Sequence, residues 1–206
     1  MTSPTLDTVD GLAGLRPDGV VAHLRRRRPV TREQLQASSD ALFAPLDDRE
    51  FPLTERLLVA AFATRLTADD ATAAHYAARA SAADAGRAEV VAGEASASAT
   101  AGPFGAYTEE GLRAESTDGR RYEPGIAVRA ALGERLTAAI AHAHLLTARP
   151  REAGSAALDR LLNAGWSVDG IVTLSQLVSF LAFQQRVAAG LRVLEQSTPT
   201  LEEVPA

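Results

Sequence analysis

Four histidines, His23, His75, His142 and His144, are the side chains of this chain best suited to move a proton near neutral pH. No cysteine accompanies them, so no thiol is present for nucleophilic or redox chemistry. His75 lies in the stretch LTERLLVAAFATRLTADDATAAHYAARA, residues 53–80, with the carboxylates of Glu55 and Asp69 in the same stretch. An imidazole working with a nearby carboxylate is a general acid or base, which makes His75, Glu55 and Asp69 the catalytic candidates.

The other histidines carry less. His142 and His144 stand two residues apart, about 200° around a helix, a poor arrangement for chelating one metal. Either one of them meets His75 across the core or both are ordinary helix residues. His23 has no ligand partner near it in sequence and reads as structural or exposed. The acidic run Asp47, Asp48, Arg49, Glu50 lacks a helical spacing to any histidine and reads as a solvated connector. No metal-ligand set and no cofactor motif is assigned.

Helices must position these groups. Leu57, Leu58, Ala61, Phe62 and Leu66 recur at helical spacing, predicting an amphipathic helix with one apolar stripe. Thr67 with Asp70 three residues on is a capping-box pattern, so this helix ends near Leu66 and a second, bearing His75, begins after Thr67.

This layout resembles the core of the alkylhydroperoxidase D-like and carboxymuconolactone decarboxylase family, in its peroxidase-related branch. There a helix carrying a glutamate leads into Cys-x-x-Cys-x-x-x-His at the start of the next helix. The aligned residues here are Ala68-x-x-Ala71-x-x-x-His75, and twelve residues before Ala68 stands Arg56, with Glu55 beside it. Ala68 and Ala71 thus hold the positions of the lost redox cysteines. Alanine cannot attack a peroxide or resolve a product, so a dithiol mechanism is excluded for this chain alone.

A second landmark follows in GWSVDGIVTLSQLVSFLAFQQRVAAGLRVL, residues 165–194. It is similar to the family's C-terminal part, where a short helix, a glycine and a long apolar helix pack over the core. Setting Thr54 against Ser167 places Leu58 on Ile171, Val59 on Val172 and His75 on Ala188, a weak internal duplication. The resemblance covers residues 53–75 and, more loosely, 126–194. It implies an alkylhydroperoxidase D-like helical fold and a homo-oligomer.

In chain order, residues 9–15 form a short helix and Asp18 caps another to about Arg27, ended by Pro29. Thr31 and Gln34 open a helix through Phe43, which Pro45 stops. The run Arg25 to Arg28 reads as a solvated helix end or as an anionic ligand site. Residues 77–99 continue as alanine-rich helix, weakened by about 1 kcal/mol at each of Gly86 and Gly93.

A long loop, 95–125, carries Phe104, Tyr107 and Tyr122, which either cover a pocket or pack on a neighbouring subunit. Residues 126–149 read as one helix with Leu132, Leu136, Ile140, Ala143 and Leu146 on its stripe. A shorter helix buries Leu158, Leu161 and Leu162 before Gly165; Ser167 then caps a helix burying Ile171, Leu174, Leu177, Val178 and Leu181. The first eight residues and the acidic tail after Pro199 read as loose.

The whole is expected to be an all-α bundle in a single domain over 1–206, with N-terminal helices in 1–50, the family core in 51–80 and C-terminal helices in 126–195. At 206 residues, 46% hydrophobic and 23% charged, the composition is that of a globular protein, read as cytoplasmic and not membrane-bound. A net charge of −5, with arginine supplying all 21 basic residues, argues against nucleic acid as a partner.

Two functions fit. One is a degenerate family member that binds a small molecule or a cysteine-bearing paralogue. The alternative is a non-redox enzyme of decarboxylase or lactone type using His75 as general acid or base.

Overall fold

The computed structural model describes residues 7–198 and is all-helical; among those residues the sole strand-like feature is one antiparallel bridge, Gly105 to Thr117. Of the first eight residues expected to be loose, Asp7 caps the first helix and Thr8 begins it; residues 1–6 and 199–206 lie outside the described residues. Packing divides the described residues into two compact units, residues 7–45 with 183–198, and residues 46–182.

The first unit contains α1 (Thr8–Ala13), α2 (Val20–Arg26), α3 (Pro29–Phe43) and the end of α10 (Val168–Ser197). Its apolar cluster joins Leu12, Ala13, Leu15, Val21, Ala22 and Ala188, with Leu191 against it. Two helix starts differ from expectation. Gly19, not Asp18, is the N-cap of α2, and α3 opens at Pro29 rather than after Thr31. Proline at the first helical position lacks an N–H that would have no partner there anyway, so Pro29 both ends one element and starts the next.

The basic run is also less solvated than expected. Arg25, with its side chain 10% exposed, donates to Asp10 and Asp7 at 2.7 Å each, and Arg32 reaches Asp7 at 3.0 Å. Arg26 donates to the Pro17 carbonyl. These arginines tie α2 and α3 to the start of α1.

The second unit is built on α4 (Leu53–Thr67). Against it pack α5 (Ala71–Ala83), α6 (Ala85–Ser98) and α8 (Glu134–Ala148). With neighbours on several sides, α4 is buried nearly all round from Arg56 to Leu66, where the sequence predicts a single stripe. Ala60, Ala61 and Ala63 let the surrounding backbones approach closely.

The junction into α5 also departs from the expected capping box. Thr67 donates back to the Thr64 carbonyl, while Asp70 itself is the N-cap, accepting from the N–H groups of Thr72 and Ala73. The alanine-rich stretch then breaks at Asp84, whose carboxylate accepts from the backbone and the side chain of Arg87, so residues 77–99 are not one helix.

Because α6 runs to Ser98, the long connection spans 99–125 rather than 95–125. It is pinned to the C-terminal end of α8: Phe104 N–H donates to the Ala148 carbonyl at 2.7 Å, and Arg149 donates to the Gly119 carbonyl at 2.6 Å. A 3-10 turn, Glu110–Glu115, lies within it.

The single helix expected over 126–149 is two helices. Gly133, at φ 78° and ψ 160°, separates α7 (Ile126–Leu132) from α8, a conformation that a residue with a Cβ would hold only under strain. Beyond α8, a short 3-10 turn leads to α9 (Ser155–Asn163), where Leu161 is buried but Leu158 and Leu162 are 40% and 46% exposed, contrary to expectation. Ser167 caps α10 as expected, accepting from Gly170 N–H, and the buried face Ile171, Leu174, Leu177, Val178 and Leu181 is found. Among the described residues, α10 is the helix whose length and apolarity would let it cross a membrane.

Candidate functional site

The residues proposed for catalysis are each placed on their own partners. Glu55, in the first turn of α4, accepts from Arg135 Nε at 3.2 Å. Asp69, three-quarters exposed, pairs with Arg65 at 3.1 Å. His75 is half-buried, packs edge-on against Tyr76 at 5.1 Å between centroids, and leaves Nε2 buried with no hydrogen-bond partner. Burial, and then the charge of Arg79, hold its pKa below the ordinary imidazole value. No hydrogen bond or ion pair joins His75 to Glu55 or Asp69.

The positions matching the family motif are local structure. Ala68 is the extended residue closing α4 and Ala71 the first residue of α5. Arg56, where the resemblance looks for glutamate, is 5% exposed; its Nε donates to the Phe51 carbonyl at 2.7 Å.

A richer polar site lies elsewhere in this unit. A pocket of about 410 Å³ opens between α7, α8, α9 and residues 121–124. The α8 wall runs from His144 through Thr137, Ala141, Leu145 and Ala138 to His142, an arc of about 160°. His142 and His144 therefore flank one cavity from opposite edges, an outcome that their separation around the helix had concealed.

Three residues of that wall are almost wholly buried with unused polar atoms. Thr137 is 2% exposed, His142 4% and His144 2%. Thr137 Oγ1, both ring nitrogens of His142 and Nε2 of His144 have no hydrogen-bond partner. Leaving such a group unsatisfied costs about 1–3 kcal/mol.

Electrostatics sharpen the picture. Burial, and then the charge of Arg160, lower the His142 pKa. His144 is lowered chiefly by burial, which the nearby Ser98 backbone opposes and Arg120 and Arg149 reinforce. Both rings are neutral at pH 7. Arg129 pairs with Glu134, and Arg121 and Arg149 pair with Glu152; Arg160 lines the same pocket with no ion pair among the described residues.

Tyr122 closes the site from the long connection. It stacks on His144, tilts against Phe62 at 5.6 Å and donates to Glu94 at 2.6 Å. Burial, and next the Glu94 carboxylate, raise its pKa, so the phenol remains protonated. Tyr107 likewise packs within its own chain, against Arg151.

Sequence reasoning singled out both histidines but missed Thr137 and Arg160. Arg160 joins the site only because α9 packs on α8, a long-range fact without a local signal. Compared with known protein families, curated proteins and solved structures, the chain matches none.

Proposed function

We propose that this protein binds a small molecule, in the pocket of Thr137, His142 and His144, on a helical plan of the alkylhydroperoxidase D-like kind from which thiol chemistry has been lost. The observation that carries the binding reading is that Thr137, His142 and His144, which hold four buried, unpartnered polar atoms, line one cavity of about 410 Å³. Support for the family plan is the buried helix α4 handing over to α5, with His75 in the second turn of the latter. Peroxide reduction by a thiol pair is outside its reach, because the chain has no cysteine.

The alternative, a non-redox enzyme with His75 as general acid or base, has less support. Both carboxylates suggested for it are engaged by arginines, and the unpartnered Nε2 of His75 stands without either of them.

The test is native mass spectrometry of the purified protein incubated with a mixture of metabolite-sized compounds, repeated with Ala141→Trp to fill the cavity. Retained adducts in the natural chain that disappear in the filled variant, with helicity unchanged by circular dichroism, are expected. Absence of any adduct sensitive to the substitution would overturn the assignment. His75→Ala is expected to leave the adducts in place.

A further inference from the structure

The run Arg25 to Arg28 divides in the fold into a tied half and a free half. Arg25 is paired with Asp7 and Asp10, and Arg26 donates to the Pro17 carbonyl. Arg27 closes α2 and Arg28 is the N-cap of α3; both residues are exposed, and neither guanidinium has an ion pair or a hydrogen bond among the described residues. Both line a groove of about 620 Å³ within the first unit. We propose that this groove binds a short-chain aliphatic carboxylate, with its carboxylate held by Arg27 and Arg28 and its chain laid on Val21, Leu24, Leu191 and Leu194.

Charge sets one end of the ligand. Besides these six residues the groove is lined by Arg25 and Thr31, and by no carboxylate. Asp7 and Asp10 already offset Arg25, so the charge left to the ligand is that of Arg27 and Arg28. On a chain of net charge −5, this is a local positive field with no built-in partner. A guanidinium fork donates two parallel hydrogen bonds to a planar carboxylate, which suits that group better than a spherical anion.

The aliphatic floor sets the other end. Val21 and Leu24 stand three residues apart on α2, and Leu191 and Leu194 three apart on α10, so each pair lies on one face of its helix. Val21 belongs to the apolar cluster of this unit and Leu191 packs against it, which anchors the floor. Leu24 and Leu194, 51% and 55% exposed, leave apolar surface in water. The free charges lie at the α2–α3 junction, while α10 contributes only leucines. That polarity matches a molecule with one charged head and one apolar tail. A compact anion would leave the leucines in water, and a peptide with acids on both sides of its apolar residues would set carboxylates over leucine.

The test is a titration of the full chain with octanoate, butanoate and 1-octanol, followed through the methyl resonances of Leu24, Leu191 and Leu194. Octanoate is expected to shift all three and to bind at least tenfold more tightly than butanoate, which lacks most of the tail. It is expected to bind about tenfold more tightly than 1-octanol, which has the tail without the charge. Replacing both arginines, Arg27→Gln with Arg28→Gln, is expected to bring octanoate down to the 1-octanol level and leave 1-octanol unmoved. Neither guanidinium holds another described residue, so the double variant is expected to keep the natural chain's unliganded spectrum.

Equal binding of octanoate and butanoate would overturn the proposal, because the leucine floor would then take no part. Equal binding of octanoate and 1-octanol would overturn it from the other side, leaving the arginines as a solvated helix end. No shift at the three leucines, or shifts at Ala138 and Ala141 instead, would also overturn it. The two sites are read by different methyl groups, so failure here leaves the assignment of the α8 pocket to its own test. Discrimination among the probes by the natural chain needs no variant.

Discussion

The Tyr122 ring stacks on the His144 ring with centroids 5.1 Å apart and planes 29° apart, joining the long connection to the pocket wall. The same tyrosine donates to Glu94 on α6, so one side chain ties the connection to two helices. Tyr122→Phe keeps the stack and loses the hydrogen bond, for an expected cost of about 1 kcal/mol. Tyr122→Ala also loses the packing on His144 and Phe62 and should cost about 2–4 kcal/mol. Denaturant unfolding of the two variants checks the order; equal losses would mean that stacking contributes nothing.

Acid should weaken the protein in two steps. His75, His142 and His144 all have folded pKa values lowered by burial first, so the unfolded chain binds their protons more readily. Their contribution to stability is complete above about 6.5, the ordinary imidazole value, and is lost as pH falls from there through the lowered values. Glu152, held near pKa 2 chiefly by its hydrogen bond with Arg149, adds a second loss as pH falls below about 4.5. Urea midpoints measured from pH 8 to pH 4 should fall below pH 6.5, and the first fall should shrink in His142→Phe. A flat profile between pH 7 and pH 5 would contradict the buried, neutral histidines.

What the sequence disclosed was mostly element identity. Proline at 29, 45 and 150, Gly165 and Ser167 mark helix ends by local chemistry, and the structure ends or starts helices beside them. Gly133 escaped because an apolar stripe continues across it; periodicity registers side chains and is blind to the backbone turn between Leu132 and Glu134. All-round burial of α4 was equally hidden. Ala60, Ala61 and Ala63 add little to any apolar pattern, yet their small size is what lets neighbouring helices close in. At the site, the angular separation of His142 and His144 counts against them as joint ligands of one metal. As two walls of one cavity that separation is what is needed.

Arg56 offers a sharper test of the motif alignment. Its guanidinium is buried, donates to the Phe51 carbonyl and lies 5.4 Å from the Phe51 ring centroid, and burial lowers its pKa. Truncation to alanine removes the aliphatic stem and leaves a buried carbonyl short of a donor, for an expected loss of about 2–4 kcal/mol. Arg56→Met, keeping most of the stem, should lose less. Arg56→Glu, which would restore the acidic residue expected from the resemblance, should be worst, since a carboxylate would face the carbonyl. If Arg56→Glu folds as well as the natural chain under chemical denaturation, the buried arginine is not structural.

Glu55 is best understood through Arg135, which it serves. Arg135 donates to Glu55 at 3.2 Å, to the Gly165 carbonyl at 2.9 Å and to the Glu50 carbonyl at 2.6 Å, while its guanidinium lies 4.0 Å from the Trp166 ring centroid. One planar fork thus connects the start of α4, the turn before α10 and the residue preceding Phe51. Lysine cannot reproduce three directed bonds and a stack, so Arg135→Lys should cost about 1–3 kcal/mol despite keeping the charge. Glu55→Gln keeps an acceptor for Arg135 and, at a part-exposed site, should cost less than about 1 kcal/mol. In a double-mutant cycle the two substitutions are expected to be non-additive, because each weakens the same contact between Arg135 and Glu55. Additive losses would instead separate Glu55 from Arg135 and return its carboxylate to consideration as a partner for His75.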